Sequence, residues 1–89
     1  MRLRQQTNKF KKDLRRMVRR GARVDDLAAV IDILAADTAL PKACRPHKLV
    51  GDYADLWECH IAPDWLLIYE LPEGVVLLHR TGTHADLFD

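Results

Sequence analysis

The stretch Trp65-Leu66-Leu67-Ile68-Tyr69-Glu70-Leu71-Pro72-Glu73-Gly74-Val75-Val76-Leu77-Leu78-His79-Arg80-Thr81 consists of two apolar runs parted by a proline and a glycine. Pro72 presets φ for a turn and Gly74 tolerates positive φ, so the segment predicts a β-hairpin with strands Trp65 to Glu70 and Val75 to Thr81. A third short run, Leu56 to Ile61, precedes Ala62-Pro63-Asp64, a second turn signal. Three strands joined by tight turns predict a small antiparallel sheet, and its cover must come from the N-terminal half. There, Phe10, Leu14, Met17 and Val18 recur at i, i+4, i+7 and i+8, which predicts an amphipathic helix from Asn8 to Arg20, opened by the Thr7 hydroxyl and ended by Gly21. A second helix is expected from an Asp25 cap through Leu27, Val30, Ile31 and Leu34 to about Ala36, before Pro41 forbids continuation. Arg2 to Gln6 reads as an edge strand. The pattern predicts an α+β fold in which an N-terminal helical hairpin packs on one face of a small antiparallel sheet, with residues 1–89 forming a single domain.

Composition bounds the function. At 89 residues there is room for one core, and 48% hydrophobic with 30% charged residues describes a globular chain, neither disordered nor fibrous. No apolar run approaches the roughly 18 residues of a bilayer span, and no apolar stretch follows the basic N-terminus as in a secretory leader, so no membrane role is expected. Cys44 and Cys59 form no CxxC pair, which points to reduced thiols and a cytoplasmic setting. The net charge of +1 conceals a segregation: residues 1 to 23 carry ten Lys/Arg against one Asp, net +9, and the remainder carries four against twelve acids, net −8. A solvated helix face is one account of Lys9, Lys11, Lys12, Arg15, Arg16, Arg19, Arg20 and Arg23. Ten cations in 23 residues exceed what solubility needs, and a phosphate backbone or an acidic protein partner is the other account.

Hairpin arithmetic gathers the polar residues. Closing the second hairpin on Glu70 and Val75 puts Trp65 or Asp64 opposite Arg80, and a turn centred on Ala62-Pro63 puts His60 opposite Asp64 or Trp65. His60, Asp64, Trp65 and Arg80 are thus expected at one end of three strands, within roughly 10 Å, and Thr81-Gly82-Thr83 can turn His84 back over them. Imidazoles, a carboxylate and a guanidinium are what cleavage of an RNA phosphodiester by its own 2′-hydroxyl requires: a base for that proton, an acid for the departing 5′-oxygen, and a cation for the extra charge on phosphorus. His79 is expected to be structural, without a polar partner, and Trp57 and Tyr69 to be core aromatics. His47, Cys59, His60 and His84 match no zinc-ligand spacing, and no glycine-rich phosphate loop is present.

Three fragments in order, Pro46-His47-Lys48-Leu49-Val50-Gly51, His60-Ile61-Ala62-Pro63-Asp64-Trp65-Leu66-Leu67-Ile68-Tyr69 and Arg80-Thr81-Gly82-Thr83-His84-Ala85-Asp86-Leu87-Phe88, resemble the YafQ branch of the RelE-like toxins of type II toxin–antitoxin pairs. The resemblance implies a microbial-ribonuclease-like fold and an endoribonuclease that cuts mRNA in the ribosomal A site. It also implies inhibition of translation, no metal or organic cofactor, and a cognate antitoxin forming a hetero-oligomer with the toxin. Carried over by position, the catalytic residues are His47, His60, Asp64, Arg80 and His84. His84 is cast as general acid, His47 or His60 with Asp64 as the base side, and Arg80 as the transition-state clamp. Trp65 and Phe88 are expected to touch substrate, Phe88 by stacking on a base or by buttressing the site. Lys12, Arg15, Arg16 and Arg19 are the residues expected to grip ribosomal RNA. Relatives often carry a basic residue between Gly51 and His60, whereas Asp52-Tyr53-Ala54-Asp55-Leu56-Trp57-Glu58-Cys59 has none. The alternatives are a non-catalytic RNA- or ribosome-binding protein using the same helix charges, and an inactive toxin relative kept for protein contacts.

Overall fold

A computed structural model describes all 89 residues. In chain order the elements are β1 (Leu3–Gln6), α1 (Asn8–Arg19), α2 (Val24–Ala35), a 3-10 turn at Lys42–Cys44, β2 (His47–Lys48), a second 3-10 turn at Gly51–Tyr53, β3 (Trp57–Ala62), β4 (Trp65–Glu70), β5 (Val75–Gly82) and α3 (His84–Phe88). The five strands lie in the order β1-β5-β4-β3-β2.

The expected α1 forms, and the Thr7 hydroxyl accepts a bond from the Phe10 amide at its start. Its Phe10 and Met17 join Leu27, Val30, Leu34 and Ala35 of α2 in a core against Cys59, Trp65, Leu67, Tyr69, Val76 and Leu78. Removing such side chains from water contributes about 1.5–3 kcal/mol each, so this layer supplies most of the fold's stability. α2 begins two residues earlier than the Asp25 cap predicts, with Arg23 in the cap position, because Asp25 and Asp26 sit inside the first turn, where carboxylates face the positive end of the helix dipole. Each helix packs on the sheet rather than chiefly on the other, α1 along β5 and α2 over β3 and β5.

Two corrections concern the sheet. It is mixed rather than purely antiparallel: β1 runs parallel to β5, with Leu3 beside Val75 and Gln6 beside Leu78. That pairing also explains the register error. Val75 and Val76 belong to the β1 ladder and extend past the end of β4, so the β4–β5 hairpin closes on Glu70 and Leu77. A bulge at His79 then adds one more residue, and Arg80 faces Ile68 instead of Trp65 or Asp64. In the first hairpin the loop is Pro63-Asp64, Ala62 faces Trp65, and an irregularity at Ile61 leaves His60 opposite Leu66.

Alternation sorts the residues onto two faces. Trp57, Cys59, Trp65, Leu67, Tyr69 and Thr81 point to the helices. Glu58, His60, Leu66, Ile68, Arg80 and Gly82 point the other way, where Leu49, Tyr53, Leu56 and Leu87 cover Leu66 and Ile68 with a second, smaller apolar cluster.

Candidate functional site

The register places two rows of residues on the face away from α1 and α2. One row is His60, Leu66 and Gly82; the next is His47, Glu58, Ile68 and Arg80. Neighbouring strands are about 4.8 Å apart, so Glu58 and Arg80 stand roughly 10 Å from each other with buried Ile68 as an apolar floor between them.

α3 brings the remaining groups over one end of this surface. Thr83 and Asp86 form a reciprocal capping box, and His84 is the first residue inside the helix. Its Nδ1 lies 2.8 Å from Asp64 Oδ1, and its backbone amide donates to the same oxygen at 3.1 Å. These two contacts hold the Asp64 carboxyl below its ordinary range, the side-chain bond contributing most. The His84 ring is 6.1 Å from that of His60, which makes no side-chain hydrogen bond, and 6.4 Å from Phe88. Phe88 meets Tyr53 edge-on at 5.6 Å, and the Tyr53 hydroxyl stands 3.5 Å from Arg80 Nη1 while donating to the Leu87 carbonyl. His60, Asp64, Arg80, His84 and Phe88 are therefore linked through one continuous set of neighbours.

His47 joins from the sheet edge. Its Nε2 is 3.2 Å from Glu58 Oε1 and its Nδ1 2.8 Å from the Arg45 carbonyl, so both ring nitrogens face acceptors. Beside His60 is a depression of about 440 Å³ walled by Arg45, Ala43, Ile61, Ala62 and Pro63. No three His, Cys, Asp or Glu side chains are grouped to hold a metal ion.

The family described as "Bacterial toxin of type II toxin-antitoxin system, YafQ" matches residues 2–89. The chain belongs to the YafQ toxin family. The mRNA interferase toxin YafQ of Escherichia coli K12 is 32% identical over 83 residues, 92% of this chain and 90% of that protein. The crystal structure of YafQ from E. coli BL21(DE3) superposes with a TM-score of 0.94 at 30% identity, and YafQ in the E. coli DinJ-YafQ complex with 0.92 at 30%, each covering 100% of both chains. The α+β fold expected from the hairpins and the helix stripe is thus a YafQ fold.

Several expectations about this YafQ-family site need correction. Trp65 is 4% exposed and faces the helical core, where its indole N–H donates to Thr81 Oγ1 at 2.8 Å, so it lies on the opposite side of the sheet from His60 and Arg80. Asp64 pairs with His84, the expected acid, rather than with His60 or His47 on the base side. Arg16 is not free for RNA: its guanidinium lies 3.5 Å from Asp86 and 3.6 Å from Asp13. Arg15 and Lys12 on the same helix are exposed, and Arg15 and Arg19 flank a shallow groove floored by Leu14 and Val18. His79 has a polar partner after all, because the bulge sets its Nε2 3.0 Å from Glu70 Oε1. Cys59 faces the core, opposite in sense to His60, and burial pushes its thiol up to about 12, so the four His and Cys residues weighed for zinc are not one set.

Four residues of the site went unnoticed in the sequence: Glu58, Tyr53, Arg45 and Asp13. Glu58 was legible as a carboxylate two residues before His60, hence on its face. Tyr53 and Arg45 lie in turns with no period to read. Asp13 sits at i+3 from Phe10 within the apolar stripe, a polar residue in a core position, and it is buried.

The seat of α3 is tight. The Arg20 guanidinium donates to Asp86 at 2.6 and 3.1 Å, and this contact with the Thr83 amide holds the Asp86 carboxyl far below its ordinary range. A side chain at Gly82 has no room, since a Cβ there comes within 2.9 Å of Asp86 Cβ and Oδ2. Gly82→Ala is expected to destabilise the protein by about 1–3 kcal/mol through overpacking and to swing His84 off Asp64. Denaturant unfolding checks the first effect, and a midpoint equal to wild type would show that α3 is not seated as described.

Proposed function

We propose that this YafQ-family protein is an mRNA endoribonuclease that acts in the A site of translating ribosomes in the cytoplasm, stops protein synthesis, and is held in check by a cognate antitoxin in a toxin–antitoxin hetero-oligomer. One observation carries the catalytic reading: His84, paired through Nδ1 with Asp64, faces the unpartnered imidazole of His60, with Arg80 on the same sheet face. The Asp64 carboxylate on Nδ1 fixes the ring and leaves Nε2 turned outward to hand a proton to the departing 5′-oxygen, so His84 is the acid. His60, free of internal partners, is the base for the 2′-hydroxyl. Arg80 supplies charge to the phosphorane oxygens, while His47, whose ring nitrogens are turned to Glu58 and the Arg45 carbonyl, stands at the edge of that surface with no N–H left for the substrate. Imidazole and guanidinium together cover both proton transfers and the charge without a metal or organic cofactor. Phe88, half exposed next to His84, offers a face for a base.

The relatives' names support this reading: one is an mRNA interferase toxin, and another is in complex with DinJ. The test is expression in the host followed by mapping of mRNA 5′ ends. Growth arrest with cleavage at ribosomal A-site codons is the expected result. A harmless protein that leaves messages intact would favour the alternative, RNA or ribosome binding without cleavage.

The cationic face of α1 makes its own prediction. Arg15 and Arg19 are exposed and make no ion pair within the chain, whereas Arg16 is tied to acids, so charge reversal belongs at Arg15 and Arg19 together. Glutamates at both positions should weaken ribosome binding by roughly tenfold or more near 0.1 M salt and flatten its salt dependence, leaving thermal stability unchanged. Sedimentation with ribosomes over a salt series measures this; unaltered binding would remove α1 from the interface.

A further inference from the structure

We infer that Asp13, on α1, is the positioning residue for Arg80: it occupies one fork of the guanidinium and so fixes which fork meets the substrate phosphate. The inference rests on the catalytic reading of Arg80 given above.

The geometry is specific. Asp13 is 2% exposed. Its Oδ2 accepts Arg80 Nε–H at 2.6 Å and the Thr81 amide at 3.2 Å, and its Oδ1 accepts Arg80 Nη2–H at 3.1 Å. β1 pairs with β5 only as far as Leu78, so beyond that point the outer edge of β5 is open, and the Asp13 carboxylate takes the amide that no strand reaches. A guanidinium has five N–H donors arranged as two forks. The side fork, Nε and Nη2, is given to Asp13. The end fork, one hydrogen of Nη1 with the second hydrogen of Nη2, remains, and Nη1 stands beside Tyr53 Oη at 3.5 Å on the face that carries His60 and His84. Two parallel donors at the end of a held side chain match two oxygens of a phosphate.

The arrangement trades charge for orientation. A carboxylate against Arg80 weakens its pull on any passing phosphate, yet it removes the freedom of a long side chain before substrate arrives. Charge stabilisation in a transition state depends on donors already aimed, and misplacement by about 1 Å can cost about 100-fold. Asp13 should therefore govern kcat and leave KM alone.

Asp13→Asn keeps the shape and one oxygen for the Thr81 amide but cannot accept both guanidinium donors. In cleavage of mRNA on programmed ribosomes, Asp13→Asn is expected to lower kcat by about 10- to 100-fold with KM within about twofold. In an Arg80→Ala background the same change should cost nothing further, because the group it positions is gone; a purely structural Asp13 would add its loss in either background. Wild-type kcat in Asp13→Asn, or an equal loss with and without Arg80, would overturn the inference. A second measurement needs neither activity nor a variant: in wild-type protein the Arg80 Nε–H should give a slowly exchanging NMR resonance, and rapid exchange with solvent would overturn the inference even if every variant misfolds. Should wild type fail to cleave at all, the catalytic reading falls, and the Nε–H resonance still decides whether Asp13 holds Arg80.

Discussion

His84→Ala is expected to slow mRNA cleavage on the ribosome by about 10²- to 10⁴-fold, the usual worth of a positioned general acid, and to relieve growth arrest. Stability should stay within about 0.5 kcal/mol of wild type. The His84 side chain is 56% exposed, and the capping box that starts α3 uses Thr83 and Asp86, not the imidazole. Mapping 5′ ends of messages after induction, with a thermal melt of the purified variant, separates the two effects. Cleavage retained to within tenfold would remove His84 as the acid. The pH profile adds a sign. Asp64 has its folded carboxyl lowered by His84, so its support is in force above the ordinary carboxylate range and is lost only as pH falls through the depressed value. Between about pH 5 and 8 Asp64 therefore stays ionised, and its support of His84 is constant across that window.

Arg80→Ala should produce two losses at once. Cleavage is expected to fall by about 10²- to 10³-fold as the charge on the phosphorane loses its stabilising donors. Folding stability should fall by about 3 kcal/mol, because the buried Asp13 carboxylate loses both guanidinium bonds. The figure stands at the low end for a broken buried pair, since Arg16 Nη2 waits 3.6 Å from Asp13 and can move in. Adding Asp13→Asn to Arg80→Ala removes the stranded charge and should recover much of the stability without recovering activity. Denaturant unfolding of the single and double variants measures this, and an Arg80→Ala midpoint equal to wild type would deny that the pair is a structural unit.

The parts of this molecule written in local pattern were legible from sequence. The Phe10, Leu14, Met17 stripe and the two proline-marked turns gave α1 and the three central strands because each is a short-range signal: a period, a cap, a preset φ. Pairing between distant segments was not legible. β1 joins β5 in parallel, and nothing in Leu3 to Gln6 announces its neighbour. The bulge at His79 shifts Arg80 off its expected partner but leaves it on the sheet face that carries His60, next to which His84 meets Asp64. Trp65 adjoins Asp64 in sequence, yet alternation sends it to the other side of the sheet. Asp13 was counted as one acid among ten bases, although its place in the apolar stripe marks it as a buried partner for a cation.

The β1–β5 ladder has a consequence for biosynthesis. Residue 3 finds its partner only in residue 75, and α1 gains its main neighbour, β5, at the same late moment. Contacts so distant in the chain form slowly and only after the intervening length is available. While the last segments are still sheltered in the exit tunnel, a nascent copy has neither a closed sheet nor a seated α3, and the groups that β5 and α3 bring together are still apart. A copy truncated before β5 is left in the same condition, with β1 unpaired and no seat for α3.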